Sequence, residues 1–76
     1  MRTKDIIEGL TILQGYRDKP DGFDVGAEHD VLYAFATDRP LSAEDVARMI
    51  ALGWHQEGRS DDGPEYDPEE SWAAYV

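Results

Sequence analysis

Residues 37–54 read TDRPLSAEDVARMIALGW, and the rest of the chain has to be arranged around them. Ser42 stands just before an apolar period and is an N-cap residue, with Asp45 three places on in a weak form of the capping-box role. Leu41 and Val46 are spaced for a hydrophobic staple across that cap. Val46, Met49 and Ile50 recur at helical spacing as a buried stripe, with Leu52 beside it. Gly53 falls where a helix ends in a left-handed residue, and Trp54 follows in position to fold back on Met49. The spacing predicts an amphipathic helix between Ser42 and Gly53 whose exit drives a tryptophan into the core.

Upstream lie two β-like runs, FDVGAE and VLYAFA, separated by EHD. A three-residue loop Glu28-His29-Asp30 would pair Ala27 with Val31, Val25 with Tyr33 and Phe23 with Phe35. That pairing gathers the bulky apolar residues on one sheet face, with Asp30 in the left-handed position such a loop needs. A two-residue loop would turn the aromatics the other way, so the three-residue loop is expected. Ahead of the hairpin, Pro20 and Gly22 in DKPDGFD mark a turn. The first residues form another helix, with Thr3 as cap, a start at Lys4, and Asp5 and Glu8 near its positive end. Ile6, Ile7, Leu10, Leu13 and Arg17 share its inner side. Gly9 and Gly15 weaken that helix unless they permit close packing.

Downstream, WHQEG is a short third strand and RSDDGP a loop. Asp67, Pro68, Glu69 and Glu70 predict one helical turn, before AAYV as a short strand or extended tail. Trp72 and Tyr75 are expected in the core and Tyr66 on the surface, because so short a chain needs its large apolar residues inside. The expected architecture is α+β: a small antiparallel sheet in the order α-β-β-α-β, with a possible short terminal element and two helices on one face. Residues 1–76 are expected to make a single domain.

Seventy-six residues without cysteine leave little room for both a core and an enclosed active site, and provide no disulfide, thiolate nucleophile or thiolate ligand. This is compatible with a reducing cytoplasm. The apolar runs are too short to span a bilayer, and MRTKDIIEG lacks a signal-peptide core and reads as folded domain. The net charge of −10 disfavours direct binding to nucleic acid or to an anionic membrane. It leaves basic protein surfaces as the fitting partner class, with simple solubility as the plainer alternative.

The hairpin GAEHD (Gly26 to Asp30), the helix lead-in TDRPLS (Thr37 to Ser42), the helix exit LGW (Leu52 to Trp54) and the ending WAAYV (Trp72 to Val76) together resemble a family of small acidic proteins encoded in phages, prophages and bacterial genomes. The resemblance spans most of residues 5–76 and brings no activity and no functional residues with it. It implies a context of mobile genetic elements, a bacterial cytoplasm, and proteins that act by binding and blocking a host machine.

Glu28-His29-Asp30 is the triplet most like a catalytic one, since a histidine between acids suits general-base chemistry. Adjacent turn residues point apart, however, and a polar turn explains them without chemistry. His55 is a partly exposed strand residue. No nucleophile elbow, phosphate loop or H-E-x-x-H is present. An EF-hand frame begun at Asp18 puts Pro20 third and Gly22 fifth, which breaks it; two histidines and no cysteine make zinc weaker still. Neither metal nor cofactor is expected.

The acids remain as the candidate site. Asp61, Asp62, Glu65, Asp67, Glu69 and Glu70, with Tyr66 among them, form one group; Glu28, His29 and Asp30, with Asp18, Asp21 and Asp24 nearby, form another. If the two groups adjoin, they make a broad negative face able to enter a channel lined with Arg and Lys, in the manner of a nucleic-acid mimic. The expected function is binding without chemistry. In its sharpest form this is an anti-CRISPR-like inhibitor of a basic, nucleic-acid-handling protein. The alternative is a structural or self-associating accessory protein.

Overall fold

The computed structural model describes residues 1–19, 21–56 and 66–76. It contains α1 (Thr3–Gln14), β1 (Val25–Glu28), β2 (Val31–Ala34), α2 (Ala43–Leu52), β3 (His55–Gln56) and β4 (Trp72–Tyr75). The strands form one antiparallel sheet in the order β1-β2-β4-β3. The α+β class holds, and the terminal element is a strand inserted between β2 and β3. Pro20 and the expected loop RSDDGP lie outside the described residues.

α2 forms as its sequence dictates. Ser42 Oγ accepts a hydrogen bond from the Asp45 amide, and Gly53 closes the helix at φ 102°. The Trp54 amide donates to the Met49 carbonyl, which is the expected fold-back. Leu41, Met49 and Leu52 are buried with Val46 packed against them, whereas Ile50 faces solvent. The expected stripe is thus rotated toward Leu52, because the helix packs through Met49 and its C-terminal end.

α1 departs from expectation at both ends. The residue before it is Arg2 in an extended conformation, and no side chain caps it; Thr3 is its first residue. Arg2 instead pairs with Asp5 at 2.9 Å. The helix stops at Gln14, so Arg17 lies beyond it. The inner side is Asp5, Gly9 and Leu13, with Ile6, Leu10 and Ile12 partly buried, and Ile7 is exposed.

The reason is Trp54. Its indole lies directly over Gly9, where an added Cβ would overlap the ring at Nε1, and Nε1–H donates to the Asp5 carbonyl at 3.2 Å. A glycine gap therefore sets the rotation of α1, overriding the isoleucine pattern.

The hairpin register also differs from expectation. The loop has two residues, His29 and Asp30, and Glu28 pairs with Val31, Ala27 with Leu32, Gly26 with Tyr33 and Val25 with Ala34. His29, not Asp30, takes the left-handed conformation, at φ 54°. The physical cause is volume. Trp54 and Trp72 already fill the space between helices and sheet, so the inner face of the sheet takes Ala34 and Ala74, both fully buried. Phe23 and Phe35 are left exposed. The three-residue alternative would drive larger side chains into an interior that packs at crystal-like density.

Two long-range contacts complete the frame. Arg17, whose side chain is only 6 % exposed, donates to the carbonyls of Phe35 and Ala36 and lies 3.6 Å from Asp24. The Tyr16 hydroxyl donates to Asp45 and accepts from the Ser42 amide, tying the end of α1 to the start of α2. Between the helices, the guanidinium of Arg48 hydrogen-bonds Glu8 and holds its carboxyl below the ordinary value. That contribution to stability is complete above the unfolded carboxylate pKa. It is lost as pH falls through the lowered folded value.

Gly9→Ala is expected to destabilise the protein by about 3 kcal/mol in urea unfolding, against the gain of about 1 kcal/mol that the same change brings in an open helix. His29→Gly is expected to stabilise by about 1 kcal/mol, because it removes a side chain from the left-handed region. Nuclear Overhauser contacts between the Hα atoms of Ala27 and Leu32 would confirm the register there.

Candidate acidic interaction site

Fold and ion pairing together decide which carboxylates are available. Arg2, Arg17, Arg39 and Arg48 each face an acid, namely Asp5, Asp24, Asp18 and Glu8. Asp38 accepts from the Asp18 amide, and Asp45 from Tyr16. These groups hold loops and helices together. Asp21, Glu28, Asp30, Glu44 and Glu69 are exposed and make no ion pair among the described residues. The uncommitted charge among those residues is therefore held mostly by the hairpin and the turn before β4.

The structure does not bring those two groups together. Val31 pairs with Tyr75, and Ala34 with Trp72. The hairpin tip thus adjoins the far end of β4, where the Val76 amide donates to the Asp30 carbonyl. Asp67, Glu69 and Glu70 precede Trp72 and lie at the opposite end of the sheet, about 10 Å away by strand rise. Among the described residues, the broad joint face expected from sequence is two separate acidic ends. Asp61, Asp62 and Glu65 lie outside the described residues.

The segment before β4 is structural as much as it is acidic. Gln56 is buried, and its amide donates to the carbonyls of Asp67 and Glu70 and accepts from the Asp67 amide. Asp67 Oδ1 accepts from the Glu69 amide. Residues 67–70 form a turn in place of the expected turn of helix, because Gln56 takes backbone groups that a helix would use. Tyr66, expected at the surface, is half-buried. It stacks on Trp72 at 6.0 Å, and its hydroxyl accepts from the Leu41 amide. It is an anchor of the core and not an exposed interface residue.

Glu28, His29 and Asp30 are all exposed at the hairpin tip. His55 is half-exposed and stacks on Tyr75 at 4.7 Å. Trp72 is core as expected, but Tyr75 is exposed, because β4 turns it to the sheet face away from the helices. No group of three His, Asp or Glu among the described residues is placed to hold a metal ion, and no helix among them is long and apolar enough to cross a membrane. Nothing in the sequence marks Gln56 or Arg17 as organisers, since each acts on backbone carbonyls remote in the chain.

Comparison with protein-family profiles, curated proteins and solved structures finds no match to this chain.

Gln56→Leu is expected to cost about 2 kcal/mol, since it strands buried backbone groups. Amide exchange at Glu70 would accelerate with it. Tyr66→Phe is expected to cost about 1 kcal/mol in the same unfolding assay, through the loss of the bond to Leu41.

Proposed function

We propose that this protein is a small acidic interaction protein without enzymatic chemistry, which binds and blocks a basic, nucleic-acid-handling protein in the manner of a phage-encoded anti-CRISPR or similar defence inhibitor. One observation carries this reading. The described arginines are all engaged by carboxylates, yet Asp21, Glu28, Asp30, Glu44 and Glu69 stay exposed without an ion pair among the described residues, and three of these five lie at one hairpin and its lead-in. A cluster of this kind at the hairpin is what Arg and Lys on a partner would meet. The resemblance to small acidic proteins of mobile elements supplies the context, a bacterial cytoplasm. A second reading, a self-associating accessory protein, draws on the exposed Phe23, Val25, Phe35 and Tyr75.

Affinity capture from a bacterial lysate separates the two. Under the proposal, a partner is retained at low salt and lost near 1 M, where screening falls to about 3 Å. The double variant Glu28→Lys/Asp30→Lys loses it at every salt while melting normally. Recovery indifferent to salt and to charge reversal would sink the proposal. A mass that rises with protein concentration would favour self-association.

A further inference from the structure

β1 is the outermost strand on its side of the sheet, and among the described residues its outer edge is bare. The Phe35 amide donates to the Asp24 carbonyl, so in an antiparallel ladder the pairs Asp24–Phe35, Gly26–Tyr33 and Glu28–Val31 exchange hydrogen bonds. Val25 and Ala27 belong to the alternate pairs, and their N–H and C=O groups point outward. Nothing among the described residues bonds them. Edge strands are ordinarily protected by shortness, charged side chains, proline, a bulge or a covering element. β1 is only four residues long and carries Glu28, so it is guarded against acidic strands; it has neither lysine nor proline, its pairing with β2 is continuous, and Phe23 and Val25 are open to solvent.

The two sides of this edge differ in chemistry. Asp24, Gly26 and Glu28 face away from the helices, on the side where the Phe35 ring lies 3.4 Å from the place a Cβ on Gly26 would take. Phe23, Val25 and Ala27 alternate with them onto the other side. An added strand would therefore meet carboxylates on one side and apolar groups on the other. A second copy of this chain in the register of fullest overlap fits poorly. Antiparallel self-pairing centred on Gly26 sets Asp24 of one copy opposite Glu28 of the other, and like charges directly opposed are destabilising.

Resting on the binding reading above, we infer that the free edge of β1 takes up an extended segment of the basic partner as an added strand, one whose residues alternate between Lys or Arg and apolar side chains. Backbone groups of Val25 and Ala27 supply the hydrogen bonds, Asp24 and Glu28 receive the basic side chains, and Phe23 and Val25 receive the apolar ones.

An alternating Lys–Val peptide tests this on the intact protein. Free, the amides of Val25 and Ala27 exchange quickly while Gly26 and Glu28 are protected; with peptide, Val25 and Ala27 gain at least about tenfold protection. Ala27→Pro removes an outward donor at a position where an edge strand accommodates proline, and Gly26 before it tolerates the required backbone. This variant is expected to bind the peptide at least about tenfold more weakly. Should it fail to fold, a peptide N-methylated at alternate amides gives the same comparison on the unaltered protein. Equal binding of the methylated and plain peptides, or of the variant and the parent, overturns the edge while leaving the acidic surface as the binder. No binding of either peptide at low salt overturns both, and protection of Val25 and Ala27 that grows with protein concentration alone overturns it in favour of self-pairing.

Discussion

The fold depends on one close approach, the indole of Trp54 against the backbone of α1 at Gly9. The exit of α2 delivers the side chain, the missing Cβ admits it, and the Asp5 carbonyl accepts its N–H. Full burial of a side chain this large is worth about 2–3 kcal/mol or more, a sizeable share of what so small a domain can muster. The contact also sets the rotation of α1, and so decides that Leu13 points inward and Ile7 outward. With Trp72 contributed by β4, the two tryptophans fill the layer between helices and sheet. The sheet then has to answer with alanines.

That division of space explains which parts of the structure are legible in the sequence. α2 can be read in detail, cap to exit, because its signals are local: a serine at one end, a glycine at the other, a staple across the first turn. The existence of the hairpin and of a terminal strand can be read for similar reasons. The hairpin register cannot, since it follows from volume taken up by Trp54 and Trp72, which are remote in the chain. Local economy favours gathering Val25, Tyr33, Phe23 and Phe35 on one side; the filled interior has no room for them. Ile50 and Tyr75 follow the same logic, each an apolar residue at a plausible spacing whose place inside is taken by a neighbour.

For the candidate site the acids themselves are plain in the sequence, but their grouping is not. Proximity along the chain points to the run around Asp67 as the main recognition element. Strand order places that run at the other end of β4 from the hairpin, and Gln56 and Tyr66 tie it into the core. Which acids remain uncommitted emerges only once Arg17, Arg39 and Arg48 have found their carboxylates across the fold. Charge balance is thus a tertiary property here. Opposite charges hold the body together, and the remaining negative charge is left at its margins.

The position of β4 has a bearing on how the chain comes to be folded at all. β4 is made after every other described element, yet it sits inside the sheet, and among the described residues β3 pairs with no strand but β4. A nascent chain that has reached only Gln56 has the sequence for a hairpin and two helices but lacks Trp72 to complete the core. Closure therefore has to wait for contacts spanning much of the chain, the kind that slow a reaction otherwise rich in helix. During ribosomal synthesis the four-stranded sheet can close only after Trp72–Tyr75 have left the exit tunnel, because β3 reaches the other strands through them.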